Sequence, residues 1–116
     1  ARIAAVAGVL RARRDERGER LIRKGDQADS MYFIVSGEIE VDLETGARAA
    51  RLGAGDFFGE IALIAERTRT ASITAVTHCK LLVLHKDDFE AFMDAHPDLR
   101  DAVRVAAHRR LEELNA

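Results

Sequence analysis

Between Arg20 and Leu84 the apolar segments are short, and glycine or small polar residues break them repeatedly. Nothing else in the chain limits its fold as strongly, because a helix needs a longer unbroken 3.6-residue pattern than these segments offer. Arg20-Leu21-Ile22-Arg23 is one such run. Met31-Tyr32-Phe33-Ile34-Val35 is a second, with so few polar breaks that both of its faces are expected to be buried. Glu38-Ile39-Glu40-Val41-Asp42-Leu43 alternates strictly, so one face should turn inward while the other meets water. Glu44-Thr45-Gly46-Ala47 then turns the chain into a short strand ending at Leu52. Ser72 to Val76 and Lys80 to Leu84 are two more β runs. Gly25-Asp26-Gln27-Ala28-Asp29-Ser30 reads as a loop by composition, and the charged segment Arg11 to Glu19 reads as turns.

Helical patterns occur only toward the ends. Ile3, Val6, Ala7 and Leu10 form one apolar face and predict a helix over residues 1–11. Asp87 with Glu90 three residues on has the form of a capping box, with Phe89, Phe92 and Met93 as the buried stripe behind it. Pro97 suits the first turn of a second helix, and Leu99, Ala102, Val103, Ala106, Leu111 and Leu114 keep helical spacing after it. At the usual rise per residue this helix is about 27 Å long, enough to cross the mouth of a small barrel. The chain is therefore expected to be mainly β, a jelly roll or β-roll with flanking α-helices at both ends. A single domain over residues 1–116 would divide into the helix at 1–11, a roll at 12–85 and two helices at 86–116.

Composition narrows the function. The 116 residues make one domain, and a net charge of −2 with mixed signs suggests neither a nucleic-acid surface nor a polyanion scaffold. No apolar run approaches the roughly 18 residues of a membrane span. Cys79 is alone, which excludes an internal disulfide and makes a reducing, cytoplasmic setting the default. No signal-peptide pattern is read at the start. A chain opening within a helix and without methionine is expected to be excised from something longer. His78, His85, His96 and His108 lack metal-ligand spacing, and Glu38, Glu40, Asp42 and Glu44 read as a solvated strand face, so no metal is expected.

One stretch does not read as scaffold. Glycines at 53 and 55 bring the chain to Phe57-Phe58-Gly59-Glu60-Ile61-Ala62-Leu63-Ile64, and Arg67-Thr68-Arg69-Thr70-Ala71-Ser72 follows closely. Ile61 to Ile64 is long enough for one or two helical turns. A helix start leaves N–H groups unpaired and carries partial positive charge, and Gly59 has no Cβ to keep an anion from the backbone. Arg69 adds a planar fork of donors matched to phosphate. Glu60 is an odd neighbour for a purely anionic ligand, but an ionised carboxylate accepts hydrogen bonds from hydroxyls. Phosphate and sugar together point to a nucleotide. Glu60 could also serve simply as an acid in the first helical turn.

Phe58-Gly59-Glu60-Ile61-Ala62-Leu63 with Arg69-Thr70-Ala71-Ser72-Ile73 resembles the phosphate-binding cassette of cyclic nucleotide-binding domains. That family includes the regulatory subunits of cyclic-AMP-dependent kinase, catabolite activator proteins and cyclic-nucleotide-gated channels. The resemblance covers nearly the whole chain and implies the same β-roll fold, with the cassette at residues 57–72. It implies that Arg69 ligates phosphate, that Gly59 and Ile61 add backbone donors, and that Glu60 accepts the ribose 2′-hydroxyl. Phe58, Ala62 and Ala71 complete the cassette. Thr70 follows the phosphate arginine, where the family often has Ala for cyclic AMP (cAMP) and Thr or Ser for cyclic GMP (cGMP). Some members with Ser or Thr still respond to cAMP, so both ligands stay open. In the resembling bacterial channel domains an arginine of the last helix stacks over the purine, and alignment from Pro97 puts Arg110 there. Arg104, Arg109 and Arg110 could equally complement the helix dipole. The sequence departs from the family at Glu66 and Thr68, where Gly and Pro are usual.

The implied ligand is cAMP or cGMP, with no further cofactor. No catalytic set accompanies the cassette, so no enzyme is expected. The cassette and final helices look most like the cytoplasmic domain of a bacterial cyclic-nucleotide-gated potassium channel. An attached effector, the channel pore, would lie outside this chain and read movement of the last two helices. This segment itself would touch neither membrane nor nucleic acid, since no helix-turn-helix follows the last helix. Any oligomerisation would come through the parent protein. A degenerate roll acting only in interactions, and the sensor part of a catabolite-activator-like transcription factor, are the alternatives.

Overall fold

The computed structural model describes residues 9–44 and 49–115. Eight strands run in the order β1 (Arg11–Asp15), β2 (Arg20–Ile22), β3 (Ser30–Ser36), β4 (Ile39–Asp42), β5 (Ala50–Leu52), β6 (Phe57–Phe58), β7 (Ser72–Ala75) and β8 (Cys79–His85). A short helix, α1 (Glu60–Ile64), interrupts them after β6; α2 (Lys86–Ala95) and α3 (Pro97–Asn115) close the chain. The strands form two four-stranded antiparallel sheets, ordered β1-β8-β3-β6 and β2-β7-β4-β5. This is the β-roll with C-terminal helices that the short, glycine-broken runs predict.

The period of two decides where the core lies. Tyr32 and Ile34 of β3, with Leu81 and Val83 of β8, point between the sheets and meet Ile22, Ile39, Phe58, Ile73 and Ala75. Met31 of β3 and Leu84 of β8 face the other way, onto Phe89, Phe92 and Met93 of α2 and Val103 of α3. β3 is thus buried on both sides over most of its length, as its apolar run suggests, but Val35 at its end is 52% exposed. Tyr32 opposes Phe58 in register, and their rings stack with centroids 5.0 Å apart. Such a cross-strand aromatic pair fixes β6 on the sheet just before the chain enters α1.

Three expectations need correction. Arg11–Asp15 is a strand and not a set of turns: it pairs with β8 from Arg11 opposite Val83 to Asp15 opposite Cys79. It is an edge strand, so it needs backbone pairing more than apolar side chains, and charge on an edge discourages further pairing. The helix expected over 1–11 lies outside the described residues for its first eight positions. Its expected end is overturned, because Arg11 is already in β1 and Val9 and Leu10 are not helical. The cap of α2 is His85, not Asp87: His85 Nδ1 accepts from the Asp87 N–H at 3.2 Å. β8 runs directly into the helix, so the last strand residue becomes the cap and Asp87 and Asp88 fall in the first turn, where the helix dipole favours them.

No helix among the described residues is long and apolar enough to cross a membrane. α3 lies against both α1 and α2, which brings the chain's end back to the segment after β6.

Candidate functional site

Gly59 is the pivot between β6 and α1. Its φ of 87° is left-handed, and it caps α1 with its main chain alone. A Cβ built there would lie 2.9 Å from Arg69 Nη1 and 3.3 Å from the Ser30 oxygen, closer than packed atoms tolerate. The missing side chain lets Arg69 Nη1 donate to the Gly59 carbonyl at 3.1 Å, while Nη2 donates to the Ser30 carbonyl at 2.7 Å.

Arg69 is fixed from its backbone as well. Its N–H donates to Asp26 O and its carbonyl accepts from Gly25 N–H, both at 2.9 Å, so the β2–β3 loop clasps it on two sides. The Tyr32 ring centroid lies 5.8 Å from the guanidinium carbon. Burial pushes the Arg69 pKa down, with Tyr32, Asp29 and Glu60 opposing that shift. Among the described residues no carboxylate pairs with this guanidinium, which spends two of its five N–H donors on carbonyls. A buried cation held by neutral groups is suited to meeting an anion.

Glu60 opens α1 and is 1% exposed. Oε2 accepts from the Ile61 N–H at 3.1 Å, and Oε1 accepts from Arg110 Nη1 of α3. Burial raises the Glu60 pKa, and Arg110 is the largest influence holding it down. The Arg110 guanidinium also sits over the Phe57 ring, 5.3 Å from its centroid.

These groups face one cavity of about 310 Å³ between α1, α3 and the β2-β7-β4-β5 sheet. Phe58, Gly59, Glu60, Ile61, Ala62, Arg69, Thr70, Ala71 and Arg110, the residues singled out in the sequence, all line it. Most of the remaining wall is apolar, with Ile22, Val41, Leu52 and Ile73 coming from four strands. Sequence reading did not assign these to the site; the inward phase of the Glu38–Leu43 alternation was the available signal for Val41. Glu113 also lines the cavity and went unassigned. A buried cation, a buried carboxylate and a broad apolar face, in a volume suited to a small molecule, are the chemistry that could hold an amphipathic phosphate.

After α1 the chain turns through Glu66 at a left-handed φ of 48°. The Arg67 N–H reaches the Ala62 carbonyl at 3.1 Å, the bond of a Schellman turn. That turn asks for glycine at Glu66, the residue the family usually has there.

Residues 12–96 match the family model described as the cyclic nucleotide-binding domain. The chain belongs to the cyclic nucleotide-binding domain family. More particularly, it is similar to parts of ion channels. It is 37% identical to a cyclic nucleotide-gated potassium channel of Rhizobium etli, over 90% of this chain and 29% of that one. It is 38% identical to the mouse potassium/sodium hyperpolarization-activated cyclic nucleotide-gated channel 3, over 97% of this chain and 14% of that one. The chain therefore spans less than a third of the length of these relatives. Among solved structures, the Thermus thermophilus catabolite activator protein superposes with a TM-score of 0.80 at 27% identity, over 97% of this chain and 55% of that one.

Proposed function

We propose that this domain is the cyclic nucleotide sensor of a bacterial cyclic-nucleotide-gated potassium channel, placed on the cytoplasmic side of the membrane. The observation that carries the reading is Arg69, a buried cation with no carboxylate partner among the described residues, facing the same cavity as the carboxylate of Glu60. Arg69 takes the cyclic phosphate, Glu60 the ribose 2′-hydroxyl, and the apolar wall the purine. The Ile61 N–H already serves Glu60 Oε2, so Arg69 is the main anion ligand and Ile61 can join it only by giving up that bond. Thr70 offers a wall hydroxyl to a guanine amino group, and the ratio of cGMP to cAMP affinity measures its part. The roll holds the ligand while α2 and α3 act as hinge and lid. The ligand biases the closed lid by its differential affinity for that state, and the attached pore reads the shift.

Titration calorimetry with cAMP and cGMP tests the reading directly, with one site expected per chain. Glu60→Gln should lose affinity for the ribonucleotide and little for its 2′-deoxy analogue. The degenerate-roll alternative predicts no heat and no thermal shift with either nucleotide at millimolar concentration.

A further inference from the structure

Glu60 belongs to two parts of the molecule at once. It starts α1 beside the phosphate-seeking Arg69, yet one oxygen is bound by Arg110 of the last helix, fifty residues on. The Ile61 N–H occupies the other oxygen at 3.1 Å. A carboxylate has about four lone-pair positions, so one bond to each oxygen leaves roughly two for a ligand hydroxyl. Arg110 therefore has no need to leave Glu60 for a ribose to arrive. Its guanidinium is steadied by the Phe57 ring 5.3 Å away, which favours a lasting pair over a transient surface contact.

Other charges near this carboxylate do not do the same work. Arg69 gives two donors to the Ser30 and Gly59 carbonyls. Glu113 of α3 lines the cavity with like charge, and from β3 the titratable neighbour is Tyr32, beside Arg69. Burial works against an ionised Glu60, and Arg110 is the strongest influence the other way.

We propose that Arg110 is a positioning residue for sugar recognition, holding the Glu60 carboxylate as an acceptor for a ligand hydroxyl so that seating of the last helix and reading of the ribose are one event. This deepens the cyclic nucleotide reading of the cavity and rests on it. An Arg110 that only stacked on the purine would be indifferent to the 2′-hydroxyl, and one that only blocked Glu60 would weaken ribose binding.

The test is calorimetric titration of the parent chain, Arg110→Gln and Arg110→Lys with cAMP and 2′-deoxy cAMP, from neutral to acidic pH. Arg110→Gln should lose roughly tenfold or more in affinity for cAMP, the size expected for disturbing a charged hydrogen bond. The 2′-deoxy analogue should lose much less, and Arg110→Lys should restore most of the ribose preference. Arg110 favours the ionised carboxylate, so without it Glu60 protonates at higher pH. The ribose-dependent affinity should then fall away at higher pH in Arg110→Gln than in the parent. In a parent that binds, equal losses on both nucleotides, tighter cAMP binding by Arg110→Gln, or an unmoved pH profile each overturn the proposal alone. A parent that binds neither nucleotide overturns the cyclic nucleotide reading and this proposal with it.

Discussion

Two arginines line the cavity, one from the roll and one from α3, and they are held in unlike ways. Arg69 is anchored to the roll: its side chain donates to two carbonyls, its own backbone is clasped by the β2–β3 loop, and it is 6% exposed. Moving it would strand the Ser30 and Gly59 carbonyls. Arg110 hangs from α3, and its partners are one carboxylate and one ring face. Among the described residues no main-chain group of the roll bonds its guanidinium. The first arrangement suits a receptor that must be in place before a ligand arrives; the second suits a part that can report the arrival. Buried backbone groups make for rigidity, because leaving them unpaired is costly, whereas a side-chain pair can be remade in more than one helix position.

The largest effect expected from this contrast is at the fixed arginine. Arg69→Ala should weaken cyclic nucleotide binding by at least ~1.5 to 3 kcal/mol, the range for hydrogen bonds to a charged group. It should also destabilise the ligand-free chain by ~1 to 3 kcal/mol, since the buried Ser30 carbonyl and the half-buried Gly59 carbonyl each lose a donor. Calorimetry and urea denaturation measure the two losses separately. Affinity within twofold of the parent would remove Arg69 from the phosphate site.

A smaller loss is expected from the α3 side. Truncation after Ala107 removes Arg110 with the end of α3 but leaves Gly59 and Arg69 in place, so affinity should fall at least as far as in Arg110→Gln, about tenfold, chiefly through faster release. Stopped-flow dissociation distinguishes this from slower association. In the intact chain, saturating ligand should slow amide exchange over residues 99–113 while the roll strands change little. At a hundredfold excess over Kd the ligand stabilises the bound form by about 2.7 kcal/mol, ample to be read as protection. Identical exchange with and without ligand would leave α3 without a lid function.

The smallest effect lies away from both arginines, in the turn that links α1 to Arg69. Glu66 holds a left-handed conformation that costs an L-residue with a side chain roughly 1 kcal/mol or more. Glu66→Gly should recover about 1 kcal/mol in thermal denaturation, less the added freedom of glycine when unfolded, with affinity nearly unchanged. A destabilised variant would mean that the Glu66 side chain supports the turn in a way its backbone geometry does not reveal.

Much of the roll was legible because burial imposes a period. The alternation from Glu38 to Leu43, the apolar run at Met31 and the glycine breaks each correspond to strands or their ends. The cassette was legible because Gly59, Glu60 and Arg69 are unusual together, and no packing argument asks for that combination. β1 was hidden: Arg11, Arg13 and Arg14 show no inward phase, and the strand exists because β8 offers it an edge. His85 was hidden as a cap because its ring serves α2 only when a strand ends one residue before the helix.

The order of the chain alone thus determined a β-roll with C-terminal helices, the glycine that lets Arg69 approach the main chain, and the polar groups a nucleotide would need. Tertiary structure decided which partners those groups take. Arg110 looks like one of several basic residues on a helix, and its meeting with Glu60 depends on how far α3 folds back over α1. The apolar wall of Ile22, Val41, Leu52 and Ile73 likewise comes from four strands that are neighbours only in the sheet. Local patterns record what each segment buries, but a contact across fifty residues is set by the packing of whole elements, and no short-range period encodes it.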